Sequence, residues 1–575
     1  MKQVLGYLSP YKGRVFVGLL VKSFATIMEL FLPYILAYVI DEVVPLGDYG
    51  RVIWFGIIML VSAVLAYIGN IVANRMAARV SSWAIEALRN DSYEKIMYFT
   101  NRKVDELTIP SLISRMTSDT YHVYRMFNVV QRIGIRAPII LLGSIGMMLF
   151  IDAYLAMVLV LLLPVITLVV VFISKKGIPF YDSLQQKLDI LVRVVRENIA
   201  GIRIIKALAK ESSEKEKFEL INEEVSKKER LAGYVVSTLN PSMNLLLNLG
   251  LIIILYIGAQ RVQVNLSSTG SIIAFMSYFT LILNSFLALN RIFLLISRAN
   301  ASALRIVDIL NTQDHIEISH TEKVEISPFI EFKDVSFSYN QNESHQLQNL
   351  NFKIEKNSIF GIIGSTGSGK TTIAQLLLRF YDVSSGTILI DGKDIKSYQL
   401  KDLRSKFGVV LQNDRLFSSS VEENIKFGRD VEFESIQEAA DLAQAKGFIE
   451  QLSKQYDERV LRGGANFSGG QRQRMLIARA LADRPEILIF DDASSALDYR
   501  TDAQFRTSLR KTRLSTTILI AQRISTVMSA DQILVLEEGR MVGLGTHDQL
   551  SKNNRLYQEL IKLQLGGDVH ERSNG

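Results

Sequence analysis

Six stretches of about 20 mostly apolar residues, each long enough to cross a bilayer as a helix, fill the first half of this 575-residue chain. Nothing else in the sequence narrows its fold as much. A backbone in hydrocarbon must satisfy its own N–H and C=O groups, so apolar runs of this length are expected as transmembrane helices. They cover residues 15–40, 52–72, 134–151, 153–173, 243–259 and 270–290. The fourth carries no charge; the first is interrupted by Lys22 and Glu29, and Arg136 stands near the edge of the third. Spans three and four are separated by Asp152 alone, which requires a tight turn. The N-terminal MKQVLGYLSPYKGR lacks the short apolar run and small-residue cleavage site of a removable signal peptide.

The connections alternate. Those after spans one, three and five are short, and the first is acidic, with Asp41, Glu42 and Asp48. Those after spans two and four are each about 60 residues long, with basic residues near the membrane such as Arg75, Arg79, Lys175 and Lys176. By the positive-inside rule the long connections and the N-terminus face the cytosol. They keep helical periodicity with few breakers, so the membrane helices are expected to continue well past the lipid. The alternative is a pair of solvated loops, but loops of that length without structure are uncommon. The formal charge of +7 goes with these flanks rather than with a basic, aromatic-studded patch, so nucleic acid is not an expected partner. The absence of Cys excludes disulfides, thiolate metal sites and a cysteine nucleophile.

After about residue 310 the pattern changes to short β-branched segments alternating with helical ones, which indicates an α/β domain. The last ten residues, GGDVHERSNG, read as a disordered tail. Directly after the strand SIFGIIG comes Gly364-Ser365-Thr366-Gly367-Ser368-Gly369-Lys370-Thr371, followed by Thr372 in a helical run. Its glycines free backbone N–H groups to cradle phosphates, Lys370 reaches the β/γ oxygens, and the Thr371 hydroxyl ligates Mg²⁺. Asp491 ends the apolar run 487–490, where a carboxylate can hold Mg²⁺ or merely cap a strand. Ser468, Gly469, Gly470 and Gln471 open another helical run, as a second anion site or a plain capped helix.

The run FSGGQRQR, twenty residues before the strand ending in Asp491 and about a hundred after the phosphate loop, resembles the signature motif of the ATP-binding cassette (ABC) family. Six spans followed by such a domain resemble an ABC exporter half-transporter along the whole chain. The resemblance implies two cassettes enclosing two ATP molecules, each between one chain's phosphate loop and the other chain's signature. It implies that Tyr339 stacks on adenine, that Gln412 contacts Mg²⁺ and water, and that the loop from Ser495 to Asp498 crosses between the two sites. By the bland alternative, Tyr339 packs the sheet and Gln412 ends a strand.

Two departures from the family pattern fall in one composite site. The hydrolytic carboxylate is normally Glu directly after the Mg²⁺ aspartate; here it is Asp492, one methylene shorter, which sets a base about 1.5 Å back. The histidine expected to touch the γ-phosphate is replaced by Gln522, which donates a hydrogen bond but does not titrate near neutrality. With an intact signature alongside, the chain resembles the degenerate-site subunit of heterodimeric ABC multidrug exporters. The segment VLRGGANF before the signature also departs from the family's usual run.

The expected fold is therefore a six-helix membrane domain, residues 1–315, fused to an α/β P-loop nucleotide-binding domain, residues 316–575, in the cytosol. The expected function is ATP- and Mg²⁺-dependent export of amphipathic small molecules or drugs across the cytoplasmic membrane. The expected partners are a second homologous half-transporter, membrane lipid and a small-molecule substrate. The alternatives are a homodimeric lipid or peptide exporter and an ATP-gated regulatory or channel subunit. Glu29 is the candidate substrate-facing carboxylate, and Lys22, on the same side of the first span, is expected to snorkel. The helically spaced Phe275, Phe279, Phe286 and Phe293 read as packing or lipid-facing. Segments 116–127 and 207–214 are placed, by resemblance, as coupling helices that dock on the cassettes.

Overall fold

A computed structural model describes residues 1–314, 328–339, 346–512 and 515–565. The chain forms two compact units. One comprises Met1–Tyr98 and Thr108–Thr312; the other comprises Phe99–Leu107 and the described residues from Gln313 onward. The expected boundary at 315/316 lies outside the described residues, as does the tail.

The first unit is helical, and six of its helical segments are long and apolar enough to span a membrane. Their principal helices are α1 (Lys12–Tyr38), α2 (Tyr49–Met97), α3 (Arg136–Ile151), α4 (Ala153–Ala200), α5 (Leu239–Gln263) and α6 (Thr269–Asn311). At 49 residues α2 is about 74 Å long, more than twice the ~30 Å of a hydrocarbon core. The helices therefore do run on past the lipid. The turn between α3 and α4 is as tight as expected: Asp152 Oδ1 accepts from the N–H groups of Tyr154 (3.0 Å) and Leu155 (3.2 Å), capping α4.

Both charged side chains of the first span have partners inside this unit, which corrects the expectation for Lys22. The Arg136 guanidinium grips both oxygens of Glu29, at 2.6 and 3.3 Å, which gives the candidate carboxylate a charged partner within the unit. Lys22 does not snorkel; it is only 4% exposed and its ammonium donates to the side-chain oxygens of Asn70 (2.6 Å) and Asn74 (3.2 Å) on α2. The phenylalanine stripe divides, with Phe275 and Phe279 fully buried in the helical core and Phe293 exposed.

Segment 116–127 belongs to the first unit and contributes to its core. Val123, Met126 and Phe127 of the helix Thr120–Val129 are buried in the first unit against Ala299, Ala303 and Ile306 of α6. The helix Asn101–Leu107, which lies in the long connection after span two, belongs to the second unit. There Thr100 N–H donates to Asp314 (2.6 Å), and Asp105 accepts from the Tyr381 hydroxyl (2.6 Å).

The second unit is built on two sheets. A six-stranded sheet has the order β10-β9-β3-β8-β7-β6, made from β3 (Ile359–Gly364), β6 (Phe407–Val410), β7 (Ile487–Asp491), β8 (Thr516–Ala521), β9 (Gln532–Glu537) and β10 (Arg540–Gly545). All its pairs are parallel except β9 with β10. A four-stranded antiparallel sheet, β2-β1-β4-β5, uses β1 (Ile330–Phe337), β2 (Leu347–Ile354), β4 (Ser385–Ile390) and β5 (Lys393–Asp394). Strands β3, β7 and β8 are buried along their whole length, as continuous apolar runs in a covered parallel sheet must be.

Candidate functional site

In an open parallel sheet, ligand-binding groups collect where the strands end at their carboxyl edge. Here that edge gathers the phosphate loop after β3, Gln522 after β8, Asp491 and Asp492 at the end of β7, and Gln412 beyond β6. Between them lies an open cleft of about 170 Å³. Thr366, Gly367, Gly369, Lys370, Thr371 and Thr372 form one wall; Gln412, Asp491, Asp492 and Gln522 form the others.

The loop needs its glycines. A Cβ on Gly364 would sit 2.2 Å from the Leu536 carbonyl oxygen, and Gly369 holds a φ of +97° at the start of α7 (Lys370–Leu377), a conformation that L side chains avoid. Lys370 is 8% exposed and folds back on the loop, donating to the carbonyls of Gly364 (3.0 Å) and Ser365 (2.7 Å). Burial lowers its pKa, and the nearby charges of Asp491 and Asp492 partly restore it. Ser368 Oγ is buried without a hydrogen-bond partner.

Asp491 is 3% exposed, and its Oδ2 has no hydrogen-bond partner. Burial raises its pKa, against a hydrogen bond from Thr371, and the charge of Asp492 raises it further. A buried carboxylate oxygen left without a proton donor fits a cation. Asp491, the Thr371 hydroxyl and the Gln412 amide oxygen are the hard oxygen donors that Mg²⁺ accepts. Among the described residues no three His, Cys, Asp or Glu cluster to cage a metal, so these donors suit an ion that also takes phosphate oxygens.

Asp492 is half-buried and adopts a φ of +53°, with its N–H donating to the Ile520 carbonyl at 2.8 Å. Burial raises its pKa, while Arg523 and Lys370 pull it down. Its own carbonyl accepts from the Ser495 hydroxyl at 2.9 Å, which ties the following loop to the cleft. Asp498 ends that loop by accepting from the Thr501 N–H and hydroxyl, both at 2.8 Å, and those bonds lower its pKa. This begins α9 (Tyr499–Thr512).

The signature residues form a separate feature. Ser468 caps α8 (Gly469–Leu481): its hydroxyl accepts from Gln471 N–H (3.2 Å), and Gln471 Oε1 accepts from Ser468 N–H (2.9 Å). This reciprocal box leaves Ser468 and Gly469 exposed. Among the described residues, none of Ser468–Gln471 lines the phosphate-loop cleft. Gly469 instead borders a second groove with Arg415, Arg462 and Arg472, and Gln412 borders both.

Tyr339 does not line the cleft. Its hydroxyl donates to Gln375 (2.6 Å) and meets the Thr372 hydroxyl (3.2 Å), while its ring packs edge-on against Phe337 and Tyr381. Sequence reasoning missed Gln346, which lines the cleft, and Arg523, whose charge acts on Asp492. Neither carries a local motif. The position of Arg523 beside Gln522 was the one available signal.

Comparison with known proteins agrees with this architecture. Residues 15–286 match the ABC transporter transmembrane region and residues 347–495 the ABC transporter ATP-binding domain. An uncharacterised ABC transporter ATP-binding protein of Bacillus subtilis is 32% identical over 99% of this chain and 100% of its own length. An ATP-dependent lipid A-core flippase of Aromatoleum aromaticum is 29% identical over 98% of this chain and 96% of its own. The solved structure of a bacterial Atm1-family ABC exporter with ATP bound shares the fold, with a TM-score of 0.78 at 24% identity over 97% of this chain and 99% of that one. The chain belongs to the ABC transporter family, as a half-transporter that joins one transmembrane domain to one ATP-binding domain.

Proposed function

We propose that this chain is one subunit of a heterodimeric ATP-driven exporter of amphipathic small molecules in the cytoplasmic membrane, and that its own phosphate-loop site hydrolyses ATP poorly. The observation that carries the reading is local. Asp492 and Gln522, two departures from the family pattern, line one cleft, while none of the capped signature residues Ser468–Gln471 lines it. A signature that does not reach its own phosphate loop needs a second chain to serve.

When nucleotide arrives, Lys370 exchanges the Gly364 and Ser365 carbonyls for β- and γ-phosphate oxygens, and the glycine N–H groups cradle the same charge. Thr371, Asp491 and Gln412 would hold Mg²⁺, which would supply positive charge against the phosphates. Tyr339, tied to the loop helix through Thr372, supplies the aromatic surface for adenine. Asp492 is the base that orients the attacking water, and its short side chain holds that water too loosely. Gln522 donates a hydrogen bond to the γ-phosphate but cannot supply a positive charge. The site then holds ATP longer than it cleaves it, and turnover falls to the site completed by this chain's Ser468, Gly469, Gly470 and Gln471.

A homodimeric lipid exporter is the second reading, favoured by the similarity to a protein named as a lipid A-core flippase. Purification of the tagged chain from its native membrane decides between them. Stoichiometric co-purification of a non-identical half-transporter, with ATPase activity that depends on it, supports the heterodimer. Full ATPase activity from the isolated chain refutes it.

A further inference from the structure

The last described helix reaches back to the ATP cleft. In α10 (Arg555–Leu565), Tyr557 is fully buried and Ile561 is 3% exposed, and both enter the core beneath the parallel sheet. Gln558 is fixed by bonds to the Ser551 (2.9 Å) and Lys552 (3.0 Å) carbonyls. Gln564 follows at i+7 from Tyr557 and i+3 from Ile561, on the same face. Its amide meets the segment after β8 in both senses: Nε2 donates to the Gln522 carbonyl (2.8 Å) and Oε1 accepts from the Ile524 N–H (2.8 Å). A carboxamide donates from its nitrogen and accepts at its oxygen without charge, and Asn is one methylene shorter.

We infer that Gln564 is a positioning residue for the ATP site, clamping the backbone on both sides of Arg523 so that Gln522 faces the γ-phosphate end of the cleft. The opposite edge of the segment is held from α9, where Arg506 donates to the Ser525 carbonyl, and from the loop after β7, where Ser494 meets the Thr526 hydroxyl at 3.3 Å. The stretch 522–526 is thus fixed from two helices and a loop. On the α10 side the clamp is a single side chain, and it bonds the residue that lines the cleft. Arg523, between the two clamped residues, is near enough to act on both Asp492 and Asp502, so the clamp also fixes where that charge falls. The inference rests on the reading of Gln522 as the γ-phosphate contact.

The test uses the full-length chain in lipid nanodiscs, with the variants Gln564→Leu, Gln564→Glu and Gln522→Ala. Amide exchange of the peptide covering Ile524 reads the clamp directly. Equilibrium affinities for MgATP and MgADP read its purpose, because only ATP carries the group that Gln522 touches. Gln564→Leu is expected to speed exchange at Ile524 and to lower the preference for ATP over ADP about threefold to tenfold, the range of one ordinary hydrogen bond. ADP affinity stays unchanged. Gln564→Glu keeps an acceptor for Ile524 and its protection, but has no donor for the Gln522 carbonyl and loses the ATP preference. In a Gln522→Ala background, Gln564→Leu adds no further loss. Unchanged exchange at Ile524 in the leucine variant overturns the clamp, and equal loss of ATP and ADP affinity overturns the positioning role. If Gln522→Ala itself leaves the ATP-to-ADP ratio unaltered, the γ-phosphate reading of Gln522 fails, while the exchange result still judges the clamp.

Discussion

Replacing Asp491 by asparagine should move two properties of the ATP-binding domain in opposite directions. The carboxylate is 3% exposed, one oxygen lacks a partner, and burial raises its pKa. A carboxyl group with a folded pKa above its unfolded one binds protons more tightly when folded. Its ionisation therefore costs stability, and that cost grows as pH rises from the ordinary aspartate range through the raised value. At neutral pH a buried, unsatisfied polar group costs about 1–3 kcal/mol. Asn keeps the shape and removes the charge, at the expense of two amide hydrogens that also want partners. The nucleotide-free domain should gain about 1 kcal/mol, or roughly 2–4 °C in its unfolding midpoint for a domain of this size. Ligand stabilisation should move the other way. Saturation at a hundredfold excess over Kd contributes about 2.7 kcal/mol, and a tenfold loss of MgATP affinity removes about 1.4 kcal/mol of that. Thermal unfolding of the full chain in nanodiscs, with EDTA or with MgATP at several pH values from about 5 to about 8, measures both effects. Parallel pH curves for the two proteins without nucleotide would show that Asp491 carries no burial cost. Equal stabilisation of both by MgATP would refute its part in holding Mg²⁺.

Three further outcomes follow from the same geometry. With the partner site disabled by loss of its own catalytic Glu, Asp492→Glu alone should raise hydrolysis modestly, and Asp492→Glu with Gln522→His by more than the product of the single changes, since both groups act on one transition state; a double repair no faster than the parent places the defect elsewhere. Ser468→Arg should abolish turnover of the complex, whereas Lys370→Ala should weaken ATP retention at this chain's site and leave measurable turnover, so equal loss from both would argue for two equivalent sites. Within the membrane domain, Glu29→Gln and Arg136→Gln should each lower the thermal midpoint, and the double variant should recover part of the loss with a coupling of about 0.5–3 kcal/mol; strictly additive losses would show that the pair seen at 2.6 Å contributes nothing.

What could be read in the sequence was what is local in it. The phosphate loop, the strand-ending Asp491 and the helix-opening Ser468 each announce themselves within a dozen residues, because strand, turn and cap chemistry are short-range. The membrane spans were legible for the same reason, as was their continuation past the lipid. Pairings were not. Glu29 reads as a free carboxylate until Arg136, 107 residues away, is folded beside it. Lys22 reads as a snorkelling residue until α2 offers two amide oxygens that no hydropathy pattern records. Segment 116–127 and the helix Asn101–Leu107 are both plausible amphipathic pieces of one long connection, and only packing against α6 tells which is internal. Gln564 is 42 residues from the carbonyl it holds and sits in no motif.

The assignment of Phe99–Leu107 to the nucleotide-domain unit bears on how the chain is made. Asp105 is synthesised 276 residues before the tyrosine that binds it, and Thr100 is made 214 residues before Asp314. At roughly 5–20 residues per second, Asp105 waits on the order of 14–55 s for Tyr381 to emerge from the ribosome. Meanwhile four more spans must enter the bilayer, so the helix has to remain unclaimed while they do. The ATP-binding domain is thus discontinuous in time as well as in sequence. A fragment begun at the membrane-domain boundary lacks one of its own pieces, and a stall in membrane insertion would leave the Tyr381 hydroxyl without its acceptor.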